Sequence, residues 1–242
     1  MVWRRELMTK NIGIIGGMGP LATVKLFEKI VVNTKAMKDQ DHPRIFIDNN
    51  TKIPDRTSSI LGQGDSPLNE LIKSAKLLEK TGADFLVMPC NTAHFYYDDI
   101  INHIDIPFIN MPYETMRYIS NKYPEKKVGL LATTGTLKTG IYDAEAKKLD
   151  IELAKPGKEQ QEVVMSFIYD IKKGDYNSSV VDFLEVMEAM KGHGVEVFIF
   201  GCTELSVSID IHNLNEAYIC IDPMDVLSDL AIVESGCIKL ND

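Results

Sequence analysis

Gly82-Ala-Asp-Phe-Leu-Val-Met-Pro-Cys90-Asn-Thr92 is an apolar run, Phe85 to Val87, that stops abruptly at a thiol, an amide and a hydroxyl. It reads as a β-strand ending at a reactive edge, and in open parallel sheets ligands bind at the carboxyl ends of strands. The stretch has an echo. Gly194-Val-Glu-Val-Phe-Ile-Phe-Gly-Cys202-Thr-Glu204 repeats its form, with each cysteine eight positions after a glycine.

Working outward, Ile12-Gly-Ile-Ile-Gly-Gly-Met-Gly19 aligns without a gap on Val128-Gly-Leu-Leu-Ala-Thr-Thr-Gly135. Ile106-Pro-Phe-Ile-Asn-Met-Pro112 follows Cys90 as Ala217-Tyr-Ile-Cys-Ile-Asp-Pro223 follows Cys202. Solenoid repeats run about 20 to 50 residues, so a repeat of domain size implies two similar α/β units. The crevice between them would carry one thiol from each side.

Asn11–Ile15 is the first expected strand, followed by a glycine turn and a helix with Pro20 near its start, where a missing N–H costs nothing. Strands follow at Arg44–Asp48, Phe85–Val87 and Pro107–Asn110, then at Lys127–Ala132, Glu196–Phe200 and after Ala217, about four in each half. Helices are expected from Ser66-Pro67 to Gly82, at 96–101, 138–148, 159–173 and 178–191, and from Asp222-Pro223 to Gly236. Strands alternating with helices mean parallel sheets and right-handed crossovers. The expected fold class is α/β, with two pseudo-symmetric open parallel-sheet domains: 8–112 plus 222–242, and 113–221. Residues 1–7 read as an N-terminal extension.

Composition narrows the partners. With 45% hydrophobic and 25% charged residues the chain of 242 fits a globular protein with ample core. A net charge of -9 makes nucleic acid a poor partner and leaves an acidic ligand in need of local cations. Four cysteines form no dense disulfide framework, and the polar start is unlike a signal peptide, so the expected location is the cytoplasm, with no membrane partner.

Gly16-Gly-Met18-Gly-Pro20 opens a helix whose N–H groups attract anions. Its spacing differs from Gly-x-Gly-x-x-Gly, although Asp48 at the end of the next strand leaves a dinucleotide reading open. Cys90 and His94, four apart, leave a metal reading open, but no companion pair stands near Cys202 at zinc-like spacing. Cys220 and Cys237 read as small buried hydrophobes.

Gly-Gly-Met-Gly-Pro, Pro54-Asp-Arg-Thr57, Pro89-Cys-Asn-Thr-Ala-His94 and Gly201-Cys-Thr-Glu204 together resemble the PLP-independent aspartate/glutamate racemase family, aspartate racemase branch. The resemblance covers nearly the whole chain. It implies two facing α/β domains in a homodimer, an acidic amino-acid substrate, and neither cofactor nor metal. It further implies Cys90 and Cys202 as the proton-transfer pair, with Asn91, Thr92 and Thr203 as donors to the substrate and Met18 and the turn of Thr133, Thr134 and Thr136 as lining. Inverting an α-carbon needs a base and an acid on opposite faces, which two thiols across a crevice supply. The substrate's second carboxylate requires a cation. Arg56 is the first candidate, as a bidentate grip, and Lys172 is the second, with Lys173 beside it as a competing register. His94 and Glu204 are supporting residues that adjust proton affinity or, for His94, cap structure. Other readings are a glutamate or other amino-acid racemase of the family, related isomerases and decarboxylases, a PLP racemase, and a non-catalytic amino-acid sensor.

Overall fold

The computed structural model describes residues 9–240. The expected extension at 1–7 lies outside the described residues. In the first half β1 (Ile12–Gly16), α1 (Pro20–Asn33), β2 (Ile45–Asn49), α2 (Arg56–Ile60), α3 (Leu68–Thr81), β3 (Phe85–Val87), α4 (Tyr97–Ile101) and α5 (Met111–Lys122) succeed one another. The second half runs β4 (Val128–Ala132), α6 (Thr134–Thr139), α7 (Ile141–Lys148), β5 (Leu153–Ala154), α8 (Lys158–Lys172), α9 (Val180–Gly192), β6 (Val197–Gly201), α10 (Thr203–Ile211), β7 (Ile219–Ile221) and α11 (Pro223–Glu234). Among the described residues no helix is long and apolar enough to cross a membrane.

Both sheets are parallel, ordered β2-β1-β3 and β5-β4-β6-β7. The order β2-β1-β3 matches β5-β4-β6 position for position, which gives the sequence repeat a structural meaning. Every residue of β1, β4 and β6 is buried, as expected of parallel strands covered on both faces. Side chains alternate between faces. In β6 Phe198 and Phe200 meet Phe167 of α8 and Phe183 of α9, while Val197 and Ile199 pack with Tyr142 of α7 and Ile119 of α5. In β3 Leu86 faces Leu71 and Leu78 of α3, whereas Phe85 and Val87 join Leu26 of α1 and Leu227 of α11. Burying one such side chain stabilises the fold by roughly 1.5–3 kcal/mol. The last helix therefore returns to pack on α1 and the first sheet.

Gly82 and Gly194 take φ of +99° and +88°, a left-handed turn that disfavours any side chain by about 1–2 kcal/mol. Each sends the chain from a helix into a strand that a cysteine follows, which explains why the repeat retains glycine there.

Three expectations need correction. Pro107–Asn110 is no full strand: Leu86 N–H donates to the Pro107 carbonyl and Ile109 N–H to the Leu86 carbonyl, giving one bridge at Phe108. Asn110 then caps α5 by accepting from Tyr113 N–H at 3.1 Å, so the chain has already turned helical. Among the described residues the first sheet accordingly has three strands instead of four. The turn at Thr133–Thr136 is the start of α6, capped by Thr133. The helix expected over 138–148 is broken at Gly140, which is left-handed.

Candidate active site

The carboxyl ends of both sheets open onto one cavity of about 400 Å³, within the range of small-molecule sites. Residues following four strands line it: Met18 and Gly19 after β1, Cys90 after β3, Thr133 after β4 and Cys202 after β6. Asn91, Thr92, Thr203, Arg56, Lys172 and Glu204 complete the polar wall, and Leu21, Ile171, Val207 and Met224 form an apolar one.

Cys90 is 7% exposed and sits just before the short 3-10 helix Thr92–Tyr96. His94 lies behind it, not in the cavity. Its Nδ1 donates to the Cys90 carbonyl at 2.8 Å, and its Nε2 accepts from Met111 N–H at 3.2 Å. Both ring nitrogens are engaged, so the Cys90–His94 pair offers no imidazole lone pair to a metal. Burial drives the His94 pKa down to about 4, so the ring is neutral. Among the described residues no group of three or more His, Cys, Asp or Glu side chains is placed to hold a metal ion.

Cys202, also 7% exposed, precedes α10, and its carbonyl accepts the helix's first bonds from Leu205 and Ser206 N–H. The unpaired N–H groups of a helix start favour negative charge nearby. Against that, the thiol donates to Glu204 Oε2 at 2.9 Å. Burial pushes the Cys202 thiol well up, the Glu204 charge and hydrogen bond push further, and Lys172 opposes them. Cys202 is therefore held as a thiol that donates to a carboxylate oxygen.

Two cations, Arg56 and Lys172, stand in the same polar wall. Lys172 Nζ is 3.9 Å from Glu204 Oε1. Burial lowers the Lys172 pKa, but the carboxylates of Glu204 and Asp55 raise it, so the net shift is upward and the ammonium stays charged. Arg56 opens α2, where Asp55 supplies the cap by accepting from Ser58 N–H at 2.7 Å. Its Nη1 donates to the Pro54 carbonyl at 3.0 Å, while its buried Nε has no partner among the described residues. An unpaired buried guanidinium donor beside a cavity is costly unless a ligand's acceptor takes it.

Where the halves meet, three hydroxyls close a ring: Thr92 to Thr133 at 3.1 Å, Thr92 to Thr136 at 2.8 Å and Thr133 to Thr136 at 3.1 Å. Thr136 stands behind the other two, outside the cavity lining. Thr134 turns toward α8, its N–H donating to Met165 Sδ and its Oγ1 accepting from Gln161. A Cβ on Gly135 would come within 2.8 Å of Thr57 Oγ1, so glycine lets α6 and α2 touch. Cys220 and Cys237 lie elsewhere, and burial raises the Cys220 thiol to about 12. Asp48 pairs with Ile15 on the edge strand β2 and does not line the cavity, so the glycine turn serves this crevice without the acidic partner of a dinucleotide site.

Sequence reasoning passed over Asp55, although it stands inside the quoted Pro-Asp-Arg-Thr. It also passed over Lys25 at the α1 rim and Tyr142, which donates a hydrogen bond to Asn91 from the other half.

Comparison with known proteins gives this geometry relatives. A family model for Asp/Glu/hydantoin racemases matches residues 15–231. The broad-specificity amino-acid racemase RacX of Bacillus subtilis is 29% identical over 203 residues, 82% of this chain and 87% of its own. The Picrophilus torridus aspartate racemase superposes with a TM-score of 0.85 at 33% identity, covering 95% of this chain and 96% of that one. An aspartate racemase homologue from Pyrococcus horikoshii shares the fold with a TM-score of 0.75 at 23% identity, covering 94% and 99%. With a match running from the first strand to the last helix, the chain belongs to the Asp/Glu/hydantoin racemase family.

Proposed function

We propose that the protein interconverts L- and D-aspartate without a cofactor, using Cys90 and Cys202 as the two proton-transfer groups. The observation that carries this reading is that two thiols at equivalent places in the repeat line one cavity together with Arg56 and Lys172. The substrate's α-carbon lies between the sulfurs. A thiolate on one face removes the α-proton, the electron pair passes into the α-carboxylate, and the thiol on the other face returns a proton to carbon. Each turnover exchanges the roles of the two sulfurs, so no net proton is consumed.

Asn91, Thr92, Thr133 and Thr203 offer donors to the α-carboxylate, where charge develops as the proton leaves. Arg56 and Lys172 take the side-chain carboxylate, Arg56 through the guanidinium edge that lacks a partner. Glu204 keeps a proton on Cys202, so Cys202 begins as the acid.

The apolar wall of Leu21, Ile171, Val207 and Met224 favours a second reading, turnover of glutamate or larger amino acids as well. One added methylene is discriminated by only about 1–3 kcal/mol, and the name of the Bacillus subtilis relative carries the same suggestion. The test is to incubate purified protein with L-aspartate, L-glutamate and a neutral amino acid and to follow the D-enantiomers by chiral chromatography. Aspartate should racemise without added pyridoxal phosphate. Failure to racemise any of the three sinks the reading.

A further inference from the structure

Among the described residues Tyr142 is the largest fully buried side chain. Its ring belongs to the core of the second half, packed with Val128, Leu130 and Ile221. A phenylalanine would fill that space equally, and burying a hydroxyl is unfavourable unless it finds a partner. The hydroxyl finds one across the boundary between the halves, donating to Oδ1 of Asn91. Burial, chiefly, lifts the phenol's pKa far above its ordinary value, so it remains a donor at any working pH.

A primary amide has one acceptor oxygen and two N–H donors. With the Asn91 oxygen turned to the phenol, the NH2 end of the amide is what position 91 presents to the cavity it lines. The neighbouring residue is held from its other side, because His94 binds the Cys90 carbonyl and Met111 N–H binds His94. Thr115 on the same turn of α5 donates to the Met111 carbonyl at 2.7 Å and stands beside the phenol. The Cys90–Asn91 dipeptide is thereby braced through two side chains.

Resting on the racemase reading above, we propose that Tyr142 is a positioning residue for the substrate carboxylate: from the opposite half, its hydroxyl fixes the Asn91 amide so that only N–H groups face the ligand. The consequence is that Tyr142 governs anion binding without touching the anion.

The experiment measures binding of an equilibrated DL-aspartate mixture by calorimetry, where no net turnover contributes heat, for wild type, Tyr142→Phe, Asn91→Ala, the double variant and Asn91→Asp. Tyr142→Phe should weaken binding about five- to tenfold, the worth of one ordinary hydrogen bond. In the Asn91→Ala background the same change should move the affinity less than about twofold, because residues acting through one another do not add. Independent, multiplying effects would make Tyr142 merely structural and overturn the proposal. Asn91→Asp supplies a check that needs no change at Tyr142. With the phenol on one carboxylate oxygen, the other faces the ligand as an acceptor, so this variant should bind aspartate worse than Asn91→Ala. Equal affinities of the two would overturn the proposal too. A wild type that binds aspartate but does not racemise it would sink the catalytic reading and leave the Tyr142 comparison decisive on its own terms. A wild type that binds no aspartate would sink both.

Discussion

His94 stands four residues from Cys90, and its role is settled by whether it titrates in the fold. The structure makes it a neutral brace: one nitrogen donates to the Cys90 carbonyl, the other accepts from Met111, and the ring lies among Tyr97 and Phe108. Its pKa is about 4 in the fold against an ordinary value near 6.5. Between those values the unfolded chain binds the proton and the native protein does not, so the stability due to neutral His94 is present above pH 6.5 and lost as pH falls. From pH 7 to pH 5 the loss is about 2 kcal/mol at 1.36 kcal/mol per pKa unit. His94→Ala strands a carbonyl and an N–H, costing about 1–3 kcal/mol each at pH 7, but it has no imidazole to charge. The stability gap between wild type and His94→Ala should therefore be about 2 kcal/mol smaller at pH 5 than at pH 7. Asp222, whose pKa burial raises to about 6, has the opposite pH dependence, but it is common to both proteins and cancels in the difference. Urea unfolding of wild type, His94→Ala and His94→Gln at both pH values measures the gap, and the glutamine, with a donor and an acceptor, should recover part of the loss. A gap that stays constant, or widens in acid, would refute the neutral brace and return His94 to acid–base chemistry.

Replacing Arg56 by alanine removes a charge-assisted contact worth about 1.5–3 kcal/mol, so kcat/KM for aspartate should fall at least tenfold. An unchanged value would place Arg56 outside the substrate's reach. Glu204→Gln removes a charge and hydrogen bond that hold the Cys202 pKa up, so the alkaline limb of the kcat/KM profile should move to lower pH. Alkylation of Cys202, followed by peptide mass spectrometry, should quicken at fixed pH, and an unmoved limb with unmoved alkylation would contradict the assignment. Lys172→Ala should lower the preference for acidic over neutral amino acids, read from competing substrates in one reaction. Equal selectivity would return Lys172 to a surface role.

What the sequence alone makes legible depends on range along the chain. The repeat was legible because Gly82 and Gly194 each end a helix in a left-handed turn, and a required glycine leaves the same mark twice. The quoted motifs located the cavity because three of them stand at strand ends and the fourth, Pro54–Thr57, opens α2 in the loop beyond β2, where one short segment supplies a whole patch of wall. Helix α10 was not legible. Leu205, Val207, Ile209 and Ile211 alternate with period two, the pattern of a strand, and only the surrounding packing makes them helical. The strand at Pro107–Asn110 reads well locally but is cut short by the cap of α5, which the same asparagine provides. Tyr142 left no signal at all. A tyrosine inside a helix reveals a buried ring, while its hydroxyl's partner lies 51 residues away in the other half.

The paired-thiol mechanism meets its most direct test in deuterated water. Early in the reaction from L-aspartate, deuterium should enter the α-carbon of the D-product while the remaining L-substrate stays protiated, because separate groups serve the two faces. Starting from D-aspartate should give the mirror result. Cys90→Ala and Cys202→Ala should each abolish racemisation, and any residual α-proton exchange should favour opposite enantiomers in the two variants. Equal labelling of both pools from the outset, with either alanine variant racemising at the wild-type rate, would contradict the account and leave Cys90 and Cys202 as structural residues.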